Sequence, residues 1–212
     1  MNPGEGHPTD KGIDTESLCE ERALELKQAG YHFVGRYYNH NNPHKNLTRT
    51  EAQAITQAGL YIVAVWENGY PTSVSYFSQE VGESDATLAY NYAKHTIGQP
   101  KDSTIYFAVD FDSSPNDLSE FIHHYFQKVI DTFKILGNEY KIGVYGSGLT
   151  CEYILKNFPE ISYTWLAESS GWSNSRTFEQ WNIKQVGSGT EIGFSVDFNE
   201  TQGDGGGFRL EA

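Results

Sequence analysis

Two stretches decide the fold: LYIVAVW at 60–66, followed by Glu67, and IYFAV at 105–109, followed by Asp110, Phe111 and Asp112. Both are apolar at nearly every position, whereas a strand with one wet face alternates apolar and polar residues. A strand apolar on both sides belongs in a parallel sheet covered on both faces. Both runs also end on an acid.

The same alternation of elements extends in both directions. A helical period runs over 17–30, with apolar residues at Leu18, Ala23, Leu24, Leu26 and Ala29 and Gly30 closing it. A short strand follows over 33–37, then a helix over 50–59. Beyond the first quoted strand, the spacing predicts a helix over 84–97, stopped by Gly98-Gln99-Pro100. After the second come a long helix over 116–136, a strand over 141–145, a helix over 149–157 and a strand over 163–167. Short strands at 183–186 and 194–196, with a minimal first strand at Gly12-Ile13, complete eight candidates. Helices thin out towards the end of the chain. Strand–helix alternation favours a parallel sheet, either open and doubly wound or closed into a (β/α)8 barrel. The nucleotide signatures of an open sheet are missing. There is no GxGxxG or GxxxxGK[ST], and YGSG at 145–148 lacks a phosphate-binding Lys. A single domain over 11–200 is expected, with a flexible segment at 1–10 and a flexible Gly-rich tail at 201–212.

The chain has 212 residues, 28 Asp plus Glu against 15 Lys plus Arg, and a formal net charge of −13. No Lys/Arg cluster exceeds a pair, which argues against nucleic acid and anionic membrane surfaces as partners. No apolar run is long enough to span a bilayer. Cys19 and Cys151 have no zinc or redox spacing and read as free structural thiols. The opening MNPGEGHPTDKG lacks the basic and apolar regions of a secretory signal. The expectation is cytoplasmic residence, or delivery to a wall by a route such as a secretion or lysis system. A monomer is expected.

Acids recur where strands end: Asp14, Glu67, Asp110, Asp112, Glu168 and Asp197. In a barrel those ends share one face, and six carboxylates there would suit general acid–base chemistry. Asp110 and Asp112, two apart on extended chain, would point the same way. The competing readings are helix N-caps and an oxygen-ligand metal site. Arg36, Tyr37, Trp66, Tyr145, Trp165 and Gln185 lie at the same strand ends and, with Glu67, are the candidate sugar-contacting residues. His32, His123 and His124 have no catalytic spacing.

The strings GIDTES (12–17), YIVAVWENG (61–69), IYFAVDFD (105–112), KIGVYGSG (141–148), YTWLAESSGW (163–172), IKQVG (183–187) and SVDFN (195–199) occur in this order. Together they resemble the glycoside-hydrolase-like family known as domain of unknown function 1906, related in fold to the family 25 glycoside hydrolases, the Chalaropsis-type lysozymes. The resemblance implies a (β/α)8-like barrel and a peptidoglycan-cleaving activity. At 212 residues the chain is near the lower limit for such a barrel, so its last helices are expected to be shortened or missing. No cofactor and no metal are expected. It matches Asp14, Asp110 and Asp197 to acids of the lysozymes. Asp112 stands where those enzymes carry the catalytic Glu, one methylene shorter. That retracts the carboxyl by about 1 Å, which can lower a rate by on the order of 100-fold. The leading expectation is a cell-wall glycosidase with Asp112 as general acid and Glu168 as its rival, Asp110 stabilising charge, and Asp14 and Asp197 holding the acetamido group or water. A glycan-binding module without catalysis and a metal-dependent hydrolase are the alternatives.

Overall fold

Side chains on successive residues of a strand point to opposite sides of a sheet, and here that rule sorts the chain into two cores. The computed structural model describes residues 9–211. Its strands are β1 (Lys11–Asp14), β2 (Phe33–Tyr38), β3 (Tyr61–Trp66), β4 (Thr104–Ala108), β5 (Lys141–Gly146), β6 (Ile161–Leu166), β7 (Ile183–Glu191) and β8 (Phe194–Thr201). They close into one barrel in sequence order. Phe33, Val63, Val65, Tyr106, Ala108, Tyr163, Trp165 and Ile183 fill the interior. The residues between them, including Val34, Ile62, Ala64, Ile105, Phe107 and Val144, pack outward beneath the helices.

The barrel departs from the all-parallel expectation at its seam. Strands β1 to β7 run parallel, but β8 is antiparallel to both β7 and β1. The cause is local. Beyond β6 the chain crosses from 167 to 182 without a regular helix, and β7 and β8 are joined by the tight turn at Ile192-Gly193. A two-residue turn permits only an antiparallel return.

The helices are α1 (Ala23–Gln28), α2 (Arg49–Gln57), α3 (Gln79–Asn91), α4 (Pro115–Asp117), α5 (His123–Leu136) and α6 (Gly148–Asn157). Wide π turns extend α3 over Tyr92–Ile97 and join α4 to α5 over Leu118–Ile122. Thr48, Ser78, Ser114 and Ser147 cap α2, α3, α4 and α6. Hydroxyls therefore cap these four helices in place of the strand-end acids. Cys19 and Cys151 are free and buried. Cys19 lies ahead of α1 rather than within a helix. No helix among the described residues is long and apolar enough to cross a membrane.

The Gly-rich stretch expected to be a flexible tail is pinned across the far end of the barrel. Ile62 and Phe208 exchange backbone hydrogen bonds at 2.8 Å, and Thr104 N donates to Gly206 O at 3.0 Å. Gly206 has φ +68, and a side chain there would collide with Thr104. The glycines allow the chain to lie flat against the strands. Of the expected flexible N-terminal segment, residues 1–8 lie outside the described residues. Asp10 N donates to Thr201 Oγ1 at 3.0 Å.

Arg36 corrects one expectation: it is fully buried on the outer side of β2 and cannot meet a ligand at the barrel mouth. Its Nε reaches Glu51 Oε1 at 2.8 Å, its Nη2 reaches Glu51 Oε2 at 3.2 Å, and its Nη1 donates to Thr15 O. Glu51 Oε1 also accepts from Cys19 N at 2.8 Å. One ion pair thus ties β1, β2, α2 and the loop ahead of α1. Removing one member strands a charge in the core. Glu51→Ala is expected to lower stability by about 3–5 kcal/mol in urea unfolding, and Arg36→Met with Glu51→Leu to recover most of that loss.

Candidate active site

At the C-terminal ends of the parallel strands a pocket of about 250 Å³ is lined by Asp14, Glu16, Tyr37, Val65, Glu67, Asp110, Tyr145, Trp165, Gln185 and Asp197. Strand alternation delivers them. Tyr37, Val65 and Tyr145 are inward positions near their strand tops, and Glu67 and Asp110 continue the inward rows of β3 and β4 past the strand ends. Asp197 arrives differently from the expectation. It lies within β8, opposite Asp14 in register. Because β8 is antiparallel, its first half, and not its end, stands at the mouth.

Asp14 is the floor carboxylate. Its Oδ1 accepts from Tyr37 Oη at 2.9 Å, and its Oδ2 accepts from Gln185 Nε2 at 3.0 Å and Asn199 Nδ2 at 2.7 Å. Gln185 Nε2 also reaches Asp197 Oδ2 at 3.5 Å, so one amide spans the two acids. Gln185 Oε1 accepts from Tyr145 Oη at 3.0 Å and Glu168 N at 3.1 Å. Asn199 Oδ1 accepts from Trp165 Nε1 at 2.9 Å, which locks the indole as the pocket floor. That ring fits because β2 carries Gly35, where a Cβ would come within 2.7 Å of both Trp165 and Asp14.

Burial pushes Asp14 up to about 6, with Gln185, Asn199 and Tyr37 pulling it back and Asp197 adding to the rise. Burial likewise raises Asp110 to about 6, helped by the Glu67 and Asp197 charges and opposed by Lys45. Asp197 is raised by burial and by Glu168. Tyr37 and Tyr145 are held neutral, first by burial and then by the surrounding carboxylates.

Besides Arg36, three expected site residues stand elsewhere. Trp66 is buried among the outer core residues, because its position on β3 faces the helices. Asp112 is exposed and outside the pocket. Regular strand pairing stops at Ala108, the chain turns, and Asp112 Oδ1 accepts from Ser173 N at 2.8 Å. Glu168 is exposed beside the pocket and lines a shallow neighbouring hollow with Ser169, Ser170, Gly171 and Trp172. Sequence reasoning missed Glu16, Asn199 and Lys45. It also passed over Tyr70, exposed after β3, and Trp172, after β6; both lie on loops at the mouth end of the barrel. Loop aromatics just past strand ends were the available signal. Among the described residues, no three His, Cys, Asp or Glu side chains are grouped so as to hold a metal ion.

The raised carboxyls set the sign of a pH effect. A native carboxyl near 6 holds a proton that the unfolded chain has released by then, so its stabilising contribution is full below about pH 4 and is lost as pH rises through 6. Asp14→Asn removes one such group while its amide still pairs with Tyr37, Gln185 and Asn199. Denaturant unfolding from pH 4 to 7 is expected to show a shallower decline for the variant, and a gain on the order of 2 kcal/mol at pH 7.

The comparisons with known proteins agree with this architecture. FadG of Bacillus subtilis (strain 168), described as an uncharacterized protein, is 35% identical over 159 residues, which cover 71% of this chain and 27% of FadG. The chain thus spans about a quarter of that relative's length. The Tat-secreted protein Rv2525c of Mycobacterium tuberculosis, solved in complex with L-tartrate, superposes with TM-score 0.78 at 19% identity, covering 93% of this chain and 98% of that one. A family 25 glycosyl hydrolase from Bacillus anthracis superposes with TM-score 0.57 at 13% identity, covering 96% of each chain. At those identities both structures speak for the fold. The family described as "Rv2525c-like, glycoside hydrolase-like domain" matches residues 24–201, and the chain belongs to it.

Proposed function

We propose that this glycoside-hydrolase-like domain cleaves a cell-wall glycan, with peptidoglycan as the substrate class and Asp110 as the general acid. The observation that carries this reading is the pairing of roles in one pocket. Asp110 is half-buried and raised to about 6, in the range a proton donor needs near neutral pH. Glu67 and Asp197 line the same pocket and can face the positive charge that develops on the sugar ring. Asp110 gives its proton to the glycosidic oxygen as that bond breaks. Water adds to the sugar carbon, and Asp197, coupled to Asp14 through Gln185, holds that water and takes its proton. The general-acid role moves from Asp112 to Asp110 because Asp112 faces solvent and is engaged by Ser173 N. The pocket lies just under the usual ligand range of roughly 300–1,000 Å³. It suits one sugar ring, with the rest of the glycan running over the rim near Tyr70 and Trp172.

A second reading has one observation in its favour. The acid expected from the lysozymes is displaced from the pocket, which suits a domain that binds glycan without cutting it.

Digestion of purified peptidoglycan with reducing-end detection separates the two. The catalytic reading expects turnover by the wild type, loss of at least 100-fold in Asp110→Asn and near-normal rates in Asp112→Asn. It also expects the rate to fall above about pH 6, because the acid must be protonated. Binding of glycan fragments with no reducing ends released would leave the binding module standing.

A further inference from the structure

Among the described residues, a single cation stands beside the acid pocket, and nothing in the site's proposed chemistry uses it. Lys45 ends the turn Pro43–Lys45 between β2 and α2 and is buried. Its Nζ lies 2.8 Å from Glu67 Oε1, 3.3 Å from Glu16 Oε1 and 4.5 Å from the centre of the Tyr37 ring. Three buried asparagines hold that geometry. Asn39 N donates to Asn46 Oδ1 at 2.5 Å, and Asn46 Nδ2 donates to Asn39 O at 2.6 Å, which closes the 39–46 loop on itself. Asn42 N donates to Asn39 Oδ1 at 2.6 Å. Asn68 Oδ1 accepts from His40 N at 3.0 Å and Asn41 N at 2.9 Å, and Asn39 Nδ2 donates to Glu67 O. The loop that carries Lys45 is therefore clasped to the backbone of the residue that Lys45 pairs with.

We propose that Lys45, fixed by the Asn39–Asn46–Asn68 clasp, is a positioning residue that locks the Glu67 carboxylate in place beside Asp110 and sets the charge Asp110 experiences. This rests on the reading of Asp110 as the proton donor. Asp110 is faced by Glu67 after β3, Asp197 on β8, Tyr145 on β5 and Lys45 from the β2–α2 loop. Lys45 is the only cation in that set, and it acts against the three effects that raise Asp110. Without it, Asp110 is left among like charges and holds its proton to higher pH.

Carboxyl carbon NMR titration of Asp110 in the intact chain tests this without requiring activity. Lys45→Met keeps the buried stem and removes the charge. Its Asp110 midpoint is expected to rise by roughly one pH unit. Lys45→Arg restores a cation and is expected to stay near the wild type. An Asp110 midpoint in folded Lys45→Met equal to that of the wild type overturns the proposal. Peptidoglycan digestion by the same proteins keeps the two readings apart. If the wild type cuts, the basic limb of its pH–rate profile is expected to move up with the Asp110 midpoint in Lys45→Met and to be kept in Lys45→Arg. If the wild type releases no reducing ends, the glycosidase reading fails and the titration still decides the role of Lys45.

Discussion

Asp14 and Asp197 stand opposite each other across the seam that closes the barrel, and one amide, Gln185, touches both. Two carboxylates so placed repel, and burial adds to the penalty on charge. The surrounding structure answers that constraint. Tyr37, Gln185 and Asn199 all donate to Asp14. Trp165 fixes Asn199 from below, and Gly35 leaves room for the Trp165 ring. The antiparallel turn of β8 is what places Asp197 at the mouth at all.

Outside the seam, the site is held by charged side chains buried away from the pocket. Arg36 and Glu51 anchor Thr15, directly after the floor acid, and Cys19 in the loop beyond it. A second buried carboxylate, Asp85 on α3, accepts from Tyr76 Oη at 2.6 Å and Tyr125 Oη at 2.7 Å behind the β3 loop. That loop carries Glu67, and its Pro71 O accepts from Asp110 N at 2.9 Å. The acids of the pocket are thus set by backbone segments tied into the outer core.

Much of this was legible in the sequence. The continuous apolar runs at 60–66 and 105–109 marked buried parallel strands, and four of the six strand-end acids line the pocket at the barrel mouth. The errors follow from one rule applied too loosely. Neighbours on a strand face opposite ways, so Arg36 and Tyr37 cannot both enter the barrel, nor can Trp66 and Glu67. Counting parity from Phe33 and Val63 separates each pair. Asp112 failed for another reason: parity holds only while the chain stays extended, and pairing ends at Ala108. The direction of β8 had no clear signal, because the second half of β7, GSGTE at 187–191, is Gly-rich and polar and hid the strand that leads into the turn at Ile192-Gly193. The Gly-rich end looked loose by composition, but its glycines serve close packing against β3 and β4. Lys45 and its asparagines lie in a loop without pattern, and only tertiary contacts reveal them.

The most direct test of the central claim is a crystal structure of the Asp110→Asn variant with a peptidoglycan fragment long enough to span the pocket. A sugar ring over Trp165, with its glycosidic oxygen about 3 Å from the residue 110 side chain, is expected. A glycan seated on the Asp112 side of the mouth, or outside the pocket lined by Asp14, Glu67 and Asp197, would contradict it.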